Sequence, residues 1–262
     1  MNARQQRLLA LESELHWALE REEFLIHYQP QAELESGKVT GVEALIRWNH
    51  PEQGLVAPND FIPLLEETGL IVEVGLWVLR QACQDMLELS RLQGWTPRVS
   101  VNLSARQFAS GLLAEHVQQV LEETGLAPQQ LELEITEQML INDLDASRKT
   151  LEALHALGVT VAIDDFGTGY CSLAYLKRLP LHVLKIDRTF VSELPADSSD
   201  MAIVEATILL AHKLDLLVVA EGVETPQQLD TLRALGCDLI QGYYLSQPVT
   251  LDALPAATAL TL

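Results

Sequence analysis

The chain has 262 residues, of which 48% are hydrophobic, and a formal net charge of −20 at pH 7. That charge repels nucleic acid polymers and anionic membranes at long range, so any anionic ligand needs a local source of positive charge. The longest apolar runs are too short to cross a bilayer; the three cysteines, Cys83, Cys171 and Cys237, lie far apart with no CxxC spacing, which suggests neither a zinc ribbon nor a disulfide framework and fits a reducing cytosol.

The chain opens with "MNARQQRLLALESELHWALEREEF", charged, helical in period and without the apolar core of a signal peptide. A first strand is predicted at "FLIHYQPQ" (24–31) and a second at "VTGVEALIRW" (39–48). Only about "ELESGK" joins them, too short for a crossover helix, so these two strands should run antiparallel. An amphipathic helix follows over 71–92, and then strands alternate with helical stretches: "RVSVNLS" (98–104), "LELEITE" (131–137), "VTVAIDD" (159–165), "HVLKID" (182–187), "LLVVAEG" (216–222) and "LIQGYYL" (239–245). The segment "LPADSSD" (194–200) reads as a long loop and no linker divides the chain. Eight apolar runs separated by helices in a chain of this length predict a single α/β domain, a (β/α)8 barrel with its first strand antiparallel to the rest.

Almost every predicted strand carries a polar residue toward its C-terminal end. These are Glu43, Asn102, Glu134, the pair Asp164 and Asp165, Lys185 with Asp187, Glu221 and Gln241. Each has an ordinary reading alone: Asp-Asp before glycine is commonly a turn, Asn102 could cap a helix, and Glu221 could precede one favourably. Together they would ring one barrel mouth, where barrel enzymes keep their active sites. Several carboxylates in one pocket take up protons unless neutralised, and a hard divalent cation with oxygen ligands does this. Successive strand residues face opposite ways, so Asp164 and Asp165 converge only if the strand bends, as Gly167 and Gly169 would permit. The seven histidines show no HxH or HExxH spacing, and no GxGxxG, Walker A or GxSxG motif occurs.

The motifs "YQPQ", "EALIRW", "VNLS", "ELEITE", "DDFGTGYCSL", "LKIDRTFV", "AEGVET" and "QGYYLSQP" resemble those of EAL domains, phosphodiesterases of the bacterial second messenger cyclic di-GMP. The resemblance spans nearly the whole chain. It implies a TIM-like barrel and hydrolysis of cyclic di-GMP to linear pGpG with two divalent cations, Mg²⁺ or Mn²⁺. Metal ligands would be Glu43, Asn102, Glu134, Asp164 and Asp165, with Glu221 as general base and Lys185 holding the attacking water. Gln29, Arg47, Asp187 and Gln241 would bind substrate or its water network, Arg47 at a phosphate, and Glu137 would anchor the loop that begins at Asp165. The family usually has Ser where Cys171 stands. Also implied are a cytoplasmic location, regulatory domains upstream in a larger signalling protein, and a homodimer. Leu173, Leu176 and Leu179, spaced by three, could serve that dimer or pack on the barrel. The rival functions are a non-hydrolysing cyclic di-GMP receptor and a pure interaction module.

Overall fold

Branched apolar residues crowd the strand segments: Val99 and Val101, Leu131, Leu133 and Ile135, Val161 and Ile163, Val183, Leu184 and Ile186, and Val218 with Val219 are all buried. Such residues suit strands covered on both faces. In the computed structural model, which describes residues 11, 14–141, 143–167 and 176–259, they form β1 (Phe24–Glu33), β2 (Val39–His50), β3 (Gly54–Val56), β4 (Arg98–Asn102), β5 (Leu131–Thr136), β6 (Thr160–Phe166), β7 (Val183–Ile186), β8 (Leu217–Ala220) and β9 (Leu239–Gln241).

The sheet runs β1-β9-β8-β7-β6-β5-β4-β2-β3 and closes through a β1–β2 pairing. Eight strands thus make a barrel. β1 is antiparallel to both neighbours, β2 and β9, and the other barrel pairs are parallel. The short "ELESGK" connection therefore has the predicted consequence. β3 is additional: β2 outruns the barrel, and its last residues Trp48–His50 pair with Gly54–Val56 in a hairpin outside the ring.

One large core fills the space between strands and helices, and Leu176 is buried in it while Leu179 packs against it. The leucine face with period three thus serves the barrel at these two positions. Leu173, Cys171 and Gly169 lie outside the described residues. A second, small apolar cluster joins Ala162, Val183, Val219 and Leu239, one from each of β6 to β9, as a layer inside the ring. Cys83 and Cys237 are free and buried, and burial pushes each thiol up to about 12, which makes both inert. No helix among the described residues is long and apolar enough to cross a membrane.

The long helix Ile71–Gln93 approaches the helix Ala105–Ala109 through a glycine. A Cβ on Gly75 would lie 2.3 Å from Nε2 of Gln107, and Gln107 forms a capping box with Ser104, both of them buried. Gly75→Ala should therefore destabilise the protein by about 1–2 kcal/mol despite alanine's helix propensity, because Gln107 must leave its cap. Urea denaturation reads this; a gain in stability would show that Gln107 yields freely.

Candidate active site

Side chains two apart on a strand share a face, and this places the site. Two residues beyond Ala162, Val183, Val219 and Leu239 stand Asp164, Lys185, Glu221 and Gln241. The apolar layer is thus a plug, and the next layer up is polar. The adjoining strands add Glu43 and Glu134 to it, and Asn102 follows by its hydrogen bond to Glu43. Asn102, Lys185, Glu221 and Gln241 lie at or next to C-terminal strand ends, and Glu43 lies near the end of the stretch of β2 that pairs with β4, so one mouth gathers the residues that the sequence scatters over nearly two hundred positions.

Asp164 and Asp165 converge by a local distortion. Asp165 has φ 53°, and the β6–β7 register shifts between Ile163 and Phe166. The bend begins at Asp165 itself, two residues before the first of the glycines expected to supply it, although Gly167 continues it at φ 99°. A left-handed non-glycine residue costs about 1–2 kcal/mol; aspartate tolerates it because its short side chain bonds locally. Glu137 secures the turn, accepting the Gly167 N–H at 2.7 Å.

Lys185 is the centre of the cluster. Its side chain is fully buried, and Nζ lies 2.6 Å from Glu134, 2.7 Å from Glu221, 3.4 Å from Asp164 and 3.7 Å from Glu43. Burial opposes its charge, but Asp164, Glu134, Glu221 and Glu43 outweigh that and hold its pKa well above the ordinary value. One ammonium cannot neutralise so many acids. Burial pushes Glu134 well above the usual carboxylate range, with Glu43 adding to the shift. Glu221 is pushed up to about 8 by burial, aided by Asp164 and Glu43. Asp165 rises to about 6 through burial, then Asp164 and Asp187. Glu43 goes the other way: burial opposes its charge, but Lys185 and hydrogen bonds from Gln241 and Asn102 lower it.

An amide network supports the floor. Gln241 Nε2 donates to Glu43 at 2.5 Å and to Gln29 at 3.0 Å, while its oxygen accepts from Gln31 at 2.9 Å. Gln31, in the "YQPQ" motif, was not singled out from sequence; its place two residues from Gln29 on one face was the available signal. Below it Ser100 donates to buried Glu132 at 2.7 Å, and Arg98 pairs with that glutamate at 3.3 Å. Asp187, a neighbour of Asp165, caps the helix Arg188–Val191 by accepting from Thr189 N–H at 3.0 Å. Arg47, half-buried, donates to Ile46 O at 2.9 Å and lines an apolar cavity with Leu45, Pro58, Ile62 and Val78. A neighbouring cavity of about 340 Å³ is bounded by Asp164, Glu221 and Gln241 and shares Leu45 and Asn102 with the first.

The donor set fits divalent cations. Asp164, Asp165 and Glu221 each bring a carboxylate oxygen within 4.8 Å of the others. Glu134 Oε1 is buried with no hydrogen-bond partner among the described residues. Oxygen-only, anionic donors suit a hard cation such as Mg²⁺ and do not suit zinc. The histidines take other roles, as in the pairs His50–Glu14 and His212–Asp238 and the stacked rings of His155 and His182.

An irregular (β/α)8 barrel whose C-terminal mouth converges on carboxylates is the class that fold and site define. The chain belongs to the EAL domain family, whose family model matches residues 12–248. It is 48% identical over 262 residues to the bifunctional diguanylate cyclase/cyclic di-GMP phosphodiesterase MucR of Pseudomonas aeruginosa, covering 99% of this chain and 38% of that protein. With the cyclic di-GMP phosphodiesterase NbdA of the same organism it shares 49% identity over 246 residues, 94% of this chain and 31% of the relative. The chain thus spans about a third of the length of these curated relatives. The solved structure of the PaMucR phosphodiesterase in complex with c-di-GMP superposes with a TM-score of 0.90 at 49% identity, covering 94% of this chain and 99% of that one.

Proposed function

We propose that this chain hydrolyses cyclic di-GMP to linear pGpG with the help of two divalent cations, Mg²⁺ or Mn²⁺. The observation that carries this reading is the fully buried Lys185 ammonium facing Glu43, Glu134, Asp164 and Glu221, a complete acid set in a family whose relatives include cyclic di-GMP phosphodiesterases.

Glu43, Asn102, Glu134, Asp164 and Asp165 would hold the cations, which when bound would acidify water and clamp the oxygens of the scissile phosphate. Glu221 would take the proton from the attacking water as general base. Its carboxylate is held for that by Lys185, 2.7 Å from Oε1. Lys185 sits where it can also orient the water by hydrogen bonding. Gln29 and Gln241 would fix the position of Glu43 and contact the substrate's surroundings. Asp187, a neighbour of Asp165, would belong to the same polar network, and Glu137 would hold the turn after Asp165 through Gly167.

Positive charge is scarce in so acidic a chain, and Arg47 would supply some of it. Glu43, Leu45 and Arg47 share one face of β2, so the guanidinium stands beside the cluster, and it can grip a phosphate with two donors. Arg47→Ala should raise the dissociation constant for cyclic di-GMP about tenfold or more, with cation binding retained. Unchanged dinucleotide affinity by calorimetry would remove Arg47 from the site.

The direct test is turnover of cyclic di-GMP by purified protein with Mg²⁺ or Mn²⁺, followed as release of pGpG and abolished by chelation. Binding without release of linear product would leave the receptor reading in its place. The cytoplasm is the compartment that goes with this substrate. A two-fold homodimer belongs to the proposal on the family resemblance, since Leu176 and Leu179 pack on the barrel itself.

A further inference from the structure

We infer that Arg188 and Glu224 form a guanine-reading pair at the rim of the mouth, an inference that rests on cyclic di-GMP being the substrate. Arg188 lines the same cavity as Asp164, Glu221 and Glu224. It is exposed, and its side chain makes no ion pair or hydrogen bond among the described residues. This is unexpected for an arginine beside so many acids. Glu224 is exposed as well, and the two are not paired with each other.

The position of Arg188 is built in. Asp187 caps the short helix that Arg188 begins. Gly222, at φ +70°, has no side chain where a Cβ would meet the Arg188 Cβ at 2.5 Å. The arginine stem therefore lies against the chain just past Glu221.

Depth decides what such a group meets. Lys185 and Glu134 are buried and Glu221 is half-buried. The scissile phosphate must reach these acids, so the parts of the substrate that project to the rim are its nucleosides. β7, which leads into Arg188, stands four strands from β2 in the eight-membered ring, so the strands that carry Arg47 and lead into Arg188 lie on opposite sides of the barrel. A cyclic dinucleotide whose phosphate lies near Arg47 extends a base toward Arg188. Guanine presents O6 and N7 as paired acceptors, which an arginine fork matches with two donors. Its N1–H and N2–H are paired donors, which a carboxylate accepts. Adenine offers a donor in place of O6. Tyr243, 58% exposed on the same cavity, adds an aromatic face at the rim.

The test compares Arg188→Ala, Arg188→Lys and Glu224→Gln with the wild type, measuring KM and kcat for cyclic di-GMP and the binding of cyclic di-GMP and cyclic di-AMP. Both Arg188 variants should raise KM about 10- to 100-fold with kcat little changed, because lysine keeps the charge but not the fork. Glu224→Gln should raise KM about tenfold. Preference for guanine over adenine should fall in all three. Unchanged KM in Arg188→Ala overturns the inference. So does a loss that Arg188→Lys repairs and that falls equally on cyclic di-AMP, since the guanidinium would then be meeting phosphate. If the wild type binds but does not hydrolyse, the hydrolase reading fails, while the dissociation constants still report on Arg188.

Discussion

Lys185→Met should lower the stability of the cation-free protein by about 3–5 kcal/mol and reduce turnover at least about a hundredfold. The ammonium is fully buried and lies within 4.0 Å of four carboxylates. Methionine keeps the stem's volume, so the loss is electrostatic and not a cavity. Without the charge, Glu43, Glu134, Asp164 and Glu221 repel each other with nothing between them. Two of them, Glu134 and Glu221, already hold protons more tightly than ordinary carboxylates, which limits the damage. A divalent cation bound by these acids would replace part of the lost charge. The destabilisation of Lys185→Met should therefore shrink in excess Mn²⁺, as binding to the folded state requires. Urea denaturation with chelator and with Mn²⁺ measures both quantities. A loss of equal size in the two conditions would mean that the acids do not bind the cation, whatever the activity shows.

Much of this arrangement was legible in the chain. All eight apolar runs are strands, and the six-residue "ELESGK" connection forced β1 antiparallel. Strand ends were read too long at 216–222 and 239–245, where β8 stops at Ala220 and β9 at Gln241. Those extra residues turn into the mouth, and alternation alone does not show where a strand ceases to pair. β3 escaped notice because three residues carry no periodic signal. The left-handed Asp165 was also invisible, since nothing in "IDDFG" says which residue takes the bend. Lys185 illustrates the larger limit. A lysine alone is usually solvated, and its burial depends on acids from β2, β5, β6 and the end of β8. That is a property of ring closure, not of any local stretch. The cap formed by Asp187 was in principle readable, as aspartate directly before a short helix favours that role.

Glu43→Gln is the sharpest test of charge against shape, and it should abolish turnover, with a loss of at least about a thousandfold, the scale on which single charge-stabilising groups act in catalysis. Glu43 accepts from Asn102 at one oxygen, 2.6 Å away, and from Gln241 at the other, 2.5 Å away. A carboxylate can accept at both oxygens; an amide accepts at one and donates at the other. Gln241 cannot turn over to receive that donor, because its oxygen already accepts from Gln31 and its nitrogen serves Gln29. Asn102, exposed and with no other side-chain hydrogen bond among the described residues, can turn its amide to accept that donor instead, so the glutamine variant keeps both partners and should cost no more than about 1 kcal/mol of stability. Glu43→Ala leaves both donors unpaired and opens a cavity, and should cost more stability for the same loss of activity. Cation affinity should fall in both variants, because each removes one negative charge from the cluster. Folding is checked by circular dichroism and urea denaturation, cation binding by calorimetry with Mn²⁺, and activity by release of pGpG. Near-normal turnover by folded Glu43→Gln at saturating Mn²⁺ would show that the charge of Glu43 plays no part. Its role would then be to hold Asn102 and Gln241 in place, and the cation would have to be held by Glu134, Asp164, Asp165 and Glu221 without it.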